Sequence, residues 1–293
     1  MRVGWLGLGA MGAPMAGCLA GAGHAVTAYD IVAGRAAALA GDGVEAADSI
    51  PGAVRDAELV AIMVATGDQV DQVLFGSGGA AETLAAGTVV VIMATVGPEV
   101  VAEVAARLGG GVTVVDAPVS GGVQRAAAGD LLIMVSGADD AVGRARPLLD
   151  VLARSAPVVG PVPGDGQRMK LVNQLLCGVH IAAAAEALAF AESLGLDPGE
   201  CWRVLRDGAA ASFMFEDRGA RMAGREFQPP RSALDIFVKD MSLVSAAAEH
   251  AGAAAPLTAV TRRLYQEGHE RGLGRLDDAA LIEVLRQDRP PAG

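Results

Sequence analysis

Three cysteines and four histidines are all that 293 residues offer in thiols and imidazoles, and none of them stand at metal-type spacing. Cys18, Cys177 and Cys201 are odd in number and far apart, which excludes a disulfide framework or a zinc cluster and points to buried thiols in a reducing compartment. The histidines are equally scattered, so no metal site is expected. Positive charge is scarce too, with 23 Lys and Arg against 34 Asp and Glu and a net charge of −11. Such a field repels polyanions and argues against nonspecific binding of nucleic acid or anionic membrane. A small anionic substrate would need a local basic pocket. The N-terminal run Met1-Arg-Val-Gly-Trp-Leu-Gly7 shows no charged leader, apolar stretch of signal length or cleavage site, and the Ala-rich segments elsewhere are punctuated by charges. A cytoplasmic protein is the expectation. No internal repeat is visible.

What is present is enough for about two domains, on a prior of roughly 150 residues each, and 52% hydrophobic residues supply their cores without staples. Up to about residue 160, short apolar runs alternate with helix-like segments: Val3 to Leu6, Ala25 to Tyr29, Leu59 to Val64, Val89 to Met93, Val112 to Val115 and Leu131 to Val135. That alternation predicts an α/β domain, a parallel sheet wrapped by helices. From Gly164 the pattern changes. Gln167 to Leu194 has no proline, one glycine (Gly178) and apolar positions at helix period, which predicts one long, mostly buried helix. Further helical stretches run to about Arg286, with breaks near Asp197-Pro198, Gln228-Pro-Pro-Arg231 and Ala255-Pro256, and Arg289 to Gly293 should be frayed. The boundary is expected at Val162-Pro-Gly-Asp165, giving domains 1–162 and 163–293. A cleft between two such domains is where a small substrate would bind.

Gly7-Leu-Gly-Ala-Met-Gly12 fits a dinucleotide-binding turn. Arg2 to Leu6 reads as the preceding strand and Met11 to Leu19 as the following helix, and Gly7, Gly9 and Gly12 permit a tight turn and close approach of a pyrophosphate. The N–H groups of Leu8, Ala10 and Met11 in this turn and the helix dipole would meet the anion. Asp30, eighteen residues past Gly12 at the end of the next strand, would accept hydrogen bonds from ribose hydroxyls and repel a 2′-phosphate, which favours NAD over NADP. Arg35 lies five positions on. The plainer alternative makes Gly7 to Gly12 an ordinary strand-to-helix turn and Asp30 a helix N-cap.

In Asp116-Ala-Pro-Val-Ser-Gly-Gly122, Ser120, Gly121 and Gly122 leave N–H groups and a hydroxyl uncovered, a nest for a carboxylate or a plain turn. In Gly166-Gln-Arg-Met-Lys-Leu-Val-Asn173, Lys170 and Asn173 share one helix face among Met169, Leu171, Val172, Leu175 and Leu176, with Gln174 and Cys177 near the same stripe. An amine near so apolar a surface loses solvation in its charged form, which lowers its pKa toward a range useful for proton transfer. A snorkelling lysine is the alternative. Lys239, in Phe237-Val-Lys-Asp-Met241, could approach a cofactor or pair with Asp240 or a partner helix.

At this point the whole chain resembles the beta-hydroxyacid dehydrogenase family, which includes 3-hydroxyisobutyrate dehydrogenase and the 6-phosphogluconate dehydrogenase relatives. Gly7 to Gly12, Asp116 to Gly122, Gly166 to Asn173 and Lys239-Asp240 match, in order, its cofactor, substrate, catalytic and C-terminal signatures. The resemblance implies a Rossmann-type domain followed by an all-helical domain that forms the interface of a homodimer or homotetramer. It implies that Lys170 is the general acid/base, that Asn173 orients the substrate and that Ser120, Gly121 and Gly122 hold its carboxylate. Lys239 would lie near the nicotinamide of NAD, and Val64, Ala65, Gln69 and Thr95 would line the cofactor site. Two positions depart from the usual pattern. Ile92-Met-Ala-Thr95 stands where many members have an acidic residue and a serine before the threonine, and Arg125 stands where many have glycine.

Arg125, with Asn173 to Ala187, Phe213 to Arg218 and Pro230 to Asp240, is most similar to the family's L-threonate dehydrogenase branch, which oxidises the 2-hydroxyl of a four-carbon sugar acid with NAD. Arg125 would add a donor fork beside the carboxylate nest, or it is a plain surface arginine. A 3-hydroxyisobutyrate dehydrogenase or a reductase of small aldehyde acids shares the same core. An imine reductase fits less well, since those relatives usually lack the lysine that Lys170 supplies. A noncatalytic NAD-binding module would keep the fold without needing Lys170 and Asn173.

Overall fold

The computed structural model describes residues 1–286 and divides into two compact units, Met1–Lys170 and the part from Leu171 on. That division falls inside the long helix, after the change of sequence pattern at Val162 to Asp165. The end expected to fray, Arg289 to Gly293, lies outside the described residues.

Eleven strands occur in the first unit: β1 (Arg2–Leu6), β2 (Ala25–Tyr29), β3 (Val44–Ala46), β4 (Leu59–Ile62), β5 (Val89–Ile92), β6 (Thr113–Asp116), β7 (Val119–Ser120), β8 (Leu131–Ile133), β9 (Val135–Ser136), β10 (Ala153–Ser155) and β11 (Val158–Gly160). The main sheet has the order β11-β9-β6-β5-β4-β1-β2-β3, and β10-β8-β7 form a smaller one. Its six-strand part, β3-β2-β1-β4-β5-β6, is all parallel. This is the doubly wound arrangement, in which the order reverses between β1 and β4 and opens a crevice at their carboxyl ends. The turn at Gly7 to Gly12 leaves β1 at that point.

Strands buried on both faces read as continuous apolar runs, and alternate residues serve opposite cores. Val3, Trp5, Leu59, Ala61, Val89 and Val91 pack one face with Met15 and Leu19 of helix Gly12–Gly21 and with Leu148 and Leu149 of helix Asp139–Leu152. Leu6, Val60, Ile62, Val90 and Ile92 pack the other with Val70 and Leu74 of helix Gly67–Phe75 and Val101 of helix Pro98–Arg107.

Two details differ from a simple parallel sheet. The run Leu131 to Val135 is shared between sheets: β8 pairs antiparallel with β7, while β9 crosses into the main sheet, where Ser136 pairs antiparallel with Asp116. Leu-Leu-Ile-Met-Val is apolar throughout, so its sequence carries no mark of where one sheet hands over to the other. The edge strand β3 has a single buried residue, Val44, and no apolar run to betray it. The three thiols are free and partly rather than fully buried, because each stands at the margin of a core.

The long helix spans Asp165–Ser193 and continues into the second unit. Among the described residues it alone is long and apolar enough to cross a membrane by length and composition; half of its most apolar stretch is packed inside the protein. Helices Pro198–Leu205, Phe213–Gly224, Leu234–His250 and Pro256–Glu270 follow. Asp197 caps the first by accepting from Glu200 N, Ser212 caps the second by accepting from Phe215 N, and Pro198 and Pro256 occupy first-turn positions where a missing N–H costs nothing. Their shared core contains Ile181, Leu188, Met222 and a stacked pair, Phe237 and Tyr265, 5.3 Å apart.

A buried ion cluster lies beside that core. Arg218 makes a two-pronged bond to Asp278 at 2.9 and 3.0 Å, Arg221 bonds Asp277, and Asp277 also accepts from Arg231 N at 2.8 Å. Removing one partner strands a buried charge. Asp278→Ala is therefore expected to destabilise the protein by about 3–5 kcal/mol, read by denaturant unfolding; a loss under about 1 kcal/mol would mean that Arg218 finds water instead.

Candidate active site

At the end of β1, Gly7 adopts φ +99°, and a Cβ there would lie 2.4 Å from the Met63 carbonyl oxygen and 3.0 Å from Val64 Cγ1. A Cβ on Gly12 would lie 2.1 Å from the Gly7 carbonyl oxygen, which already accepts from Trp5 Nε1 at 2.9 Å. Gly9 is different: a Cβ there would meet nothing within 4 Å. Gly7 and Gly12 are thus demanded by the fold, whereas the bare backbone at Gly9, flanked by Leu8, Ala10 and Met11, leaves an open cradle of the kind a pyrophosphate needs. The residues present fit the phosphate-bearing part of a dinucleotide.

Asp30 does not cap a helix. Its side chain is almost fully buried, with Oδ2 accepting from Leu8 N at 2.7 Å and Oδ1 from Val32 N at 2.8 Å, and Arg35 lies 3.3 Å away. The carboxylate thereby ties the end of β2 to the glycine turn. In the loop after β4, next to Val64, Gln69 Oε1 accepts from Ala65 N at 2.8 Å while Gln69 N donates to Thr66 Oγ1.

Ser120 ends β7, and Gly121 (φ +146°) and Gly122 (φ +74°) turn the chain into helix Gly122–Ala127. A Cβ on Gly122 would meet open space. Arg125, one turn on, packs against Gly121, and its Nε lies 3.7 Å from Asp130, which a second arginine, Arg154, also grips at 2.6 and 2.5 Å.

Lys170 is 95% buried on the long helix. The first turn of that helix is anchored from outside: Asp116 Oδ2 accepts from Gly164 N (3.1 Å) and Gln167 N (2.8 Å), and Ser136 Oγ accepts from Gly166 N (2.9 Å). Gln167, fully buried, donates through Nε2 to Asp116 Oδ1 (2.8 Å) and Ala94 O (3.0 Å) and accepts through Oε1 from Val96 N (2.9 Å) and Gly97 N (3.1 Å). Thr95 sits between those bonded groups. Burial pushes the Asp116 carboxyl up to about 6, against the downward pull of the Gln167, Gly164 and Ser136 hydrogen bonds. A raised carboxyl value means that the folded chain takes up a proton as pH falls through about 6. Holding Asp116 ionised at neutral pH then weighs against folding by on the order of 3 kcal/mol.

In the second unit, Asn173 Nδ2 donates to Gln174 Oε1 (2.8 Å) and Cys177 Sγ (3.4 Å), Gln174 Nε2 donates to Asp240 Oδ2, and Lys239 Nζ forms an ion pair with Asp240 Oδ1 at 2.8 Å. The chain from Asn173 to Lys239 thus passes through the buried pair Gln174 and Asp240. Of the alternatives for Lys239, the structure displays the pairing with Asp240.

The motifs give Asp116, Gln167 and Gln174 no part to play, and Asp240 only that of a possible partner for Lys239. One compositional signal was available: of 23 basic residues only Lys170 and Lys239 are lysine. A chain that otherwise uses arginine everywhere keeps an amine at those two places. Among the described residues no group of three or more His, Cys, Asp or Glu is placed to hold a metal ion. From the glycine geometry, Gly9→Ala is expected to fold like the wild type but bind NADH more weakly in a fluorescence titration. Gly12→Ala should lose about 1–3 kcal/mol of stability in thermal or denaturant melts. Undiminished NADH binding by Gly9→Ala would remove this turn from the cofactor site.

Comparison with known proteins agrees with this geometry. Residues 2–160 match the family described as the NAD binding domain of 6-phosphogluconate dehydrogenase, and residues 164–285 match the NAD-binding family of NADP-dependent 3-hydroxyisobutyrate dehydrogenase. L-threonate dehydrogenase of Cupriavidus necator is 37% identical over 285 residues, 97% of this chain and 96% of that one. The 2-hydroxy-3-oxopropionate reductase of Escherichia coli K12 is 36% identical over 290 residues, 97% of each chain. The crystal structure of 3-hydroxyisobutyrate dehydrogenase from Salmonella typhimurium superposes with a TM-score of 0.91 at 36% identity, covering 96% of this chain and 99% of that one. With a doubly wound NAD(P)-binding domain, a helical C-terminal part and whole-length relatives of this kind, the chain belongs to the beta-hydroxyacid dehydrogenase family and is an NAD(P)-binding oxidoreductase that acts on the CH–OH group of a hydroxy acid.

Proposed function

We propose that the protein oxidises the 2-hydroxyl of a four-carbon sugar acid such as L-threonate, with NAD as cofactor and Lys170 as general acid/base. The observation that carries the catalytic part is the buried amine of Lys170, one of two lysines in the chain, on a helix whose first turn is held by side-chain acceptors. A buried amine gains most from meeting a proton donor, here the substrate hydroxyl. The nicotinamide, when bound, supplies the hydride acceptor. Lys170 takes the hydroxyl proton, Asn173 on the same helix orients that hydroxyl, and Ser120, Gly121 and Gly122 receive the carboxylate. Lys239 stands near the nicotinamide, and Val64, Ala65, Gln69 and Thr95 line the cofactor site. Arg125, one helical turn past Gly121 and 3.7 Å from Asp130, adds a guanidinium beside the carboxylate turn, which favours an anionic, polyhydroxylated acid.

NAD is favoured over NADP because Asp30 sets a negative charge where a 2′-phosphate would lie. Arg35 offsets part of that charge at 3.3 Å, so the preference is moderate rather than absolute. The identity to L-threonate dehydrogenases supports the substrate. The equally extensive identity to a 2-hydroxy-3-oxopropionate reductase supports a second reading, reduction of a small aldehyde acid with the same lysine as proton donor. We place the enzyme in the cytoplasm as a homodimer or homotetramer, with the exposed apolar side chains Phe190, Leu194, Leu196, Val204 and Leu257 of the helical part supporting self-association. Its partner is a small hydroxy acid rather than nucleic acid or membrane.

Following NADH absorbance with L-threonate, D-threonate, the erythronates, 3-hydroxyisobutyrate and L-serine tests the substrate, and selective turnover of a four-carbon acid is expected. Lys170→Ala should lower kcat at least about a hundredfold with NADH affinity nearly unchanged; retained turnover would remove the lysine from the mechanism. With the preferred acid, kcat/KM should be higher for NAD than for NADP, and a preference of about tenfold the other way, ~1.4 kcal/mol, would overturn the role given to Asp30.

A further inference from the structure

We propose that Asp116 and Gln167 are positioning residues for the reaction: as one polarised relay they hold Lys170, Thr95 and the Ser120 to Gly122 turn in a common frame, and the relay works only with an ionised carboxylate at position 116. The inference rests on the role given to Lys170 above.

Three segments meet at this pair. Gln167 lies three residues before Lys170, on the same helix face. The carbonyl before Thr95 and the N–H after it, at Ala94 and Val96, both bond the Gln167 carboxamide, so the backbone of Thr95 is clamped on each side. Asp116 closes β6 four residues ahead of Ser120, and its neighbour across the sheet, Ser136, also binds the first turn of the long helix.

The direction of every hydrogen bond in the relay is determined. Val96 N–H and Gly97 N–H require an acceptor, so the carboxamide must present oxygen to them and NH2 to Asp116. Asp116 in turn receives N–H groups from Gly164 and Gln167 and the Gln167 NH2, and must be an acceptor at both oxygens. A proton on the carboxyl faces donors on every side except at the Ser136 hydroxyl, 3.4 Å from Oδ2. Taking it up weakens the hold on the helix start.

The groups that face Asp116 are the Ser136 hydroxyl from β9, the Gly164 N–H, and the N–H and carboxamide of Gln167 from the helix. The charged residues on that helix turn are Asp165, bonded to Val162 N and Arg168, together with Arg168 and Lys170. Burial disfavours the charge, while the N–H donors at both oxygens favour it; the pH profile separates a role in the reaction from a purely structural one.

The test is the pH dependence of kcat and KM with NAD and the preferred acid, for wild type, D116N, Q167E and K170A, each verified as folded by circular dichroism. Wild type should show an acid limb near pH 6. D116N, whose amide sets donors against donors, should lose about ten- to a hundredfold in kcat, with a smaller change in KM, and should lack that limb. Q167E sets a second carboxyl beside Asp116 and should move the limb to higher pH. A flat wild-type profile between about pH 5 and 7, a limb that persists in D116N, or a folded D116N with kcat within about twofold of wild type overturns the proposal. With K170A inactive, any of these leaves the catalytic reading standing; retained turnover in K170A overturns both.

Discussion

The start of the long helix rests against the side chains of Asp116 and Ser136, and much of the first unit is organised by that meeting. A helix N-terminus exposes N–H groups without partners and carries a partial positive charge. A local cap such as Asp197 or Ser212 answers this need from the chain just before the helix. At Asp165 the answer comes from other strands, β6 and β9, so the start of the helix depends on tertiary contact with the sheet. The same carboxylate steers Gln167, and Gln167 steers the loop around Thr95. Local structure, tertiary contact and the candidate chemistry are therefore linked through one buried acceptor.

The two units treat buried carboxylates differently. Asp277 and Asp278 are met by the guanidinium groups of Arg221 and Arg218, an arrangement that pins helix Phe213–Gly224 to the segment beginning at Asp277. Asp116 is met by N–H and O–H dipoles alone; burial raises its carboxyl, as it raises that of Asp278 in spite of the paired guanidinium. The first unit accommodates this cost because the sheet carries an apolar core on each face. A parallel arrangement recurs at the other lysine, where Asp240 and Gln174 stand between Lys239 and Asn173. In each unit a buried carboxylate is hydrogen-bonded to a glutamine on the long helix, near in sequence to a lysine or asparagine with a proposed role.

Of the expected strands, β1 and β2 coincide closely with their apolar runs, and the breaks at Asp197-Pro198 and Ala255-Pro256 became helix starts. These signals are local, since burial sets periodicity and a cap or proline sets a boundary. Gly7 and Gly12 were legible for the same reason. The distinct status of Gly9 was not, because a motif cannot say which glycine is packed and which is open. The position of Asp30 in the sequence suggests a ribose acceptor, and its hold on Leu8 N appears only in three dimensions.

The sequence by itself determined an α/β domain followed by helices and the family, and pointed to the dinucleotide turn, because each is written in spacing, period and residue type along a few adjacent positions. Tertiary structure alone decided that Leu131 to Val135 serves two sheets, that Arg125 leans on Asp130, that Lys239 pairs with Asp240 and that Asp116 caps a helix beginning forty-nine residues later. Those are choices among competing partners, some distant in the chain and some, like Asp240 beside Lys239, adjacent. Their energies depend on which polar groups burial strips of water, a quantity that exists only once the fold has closed around them.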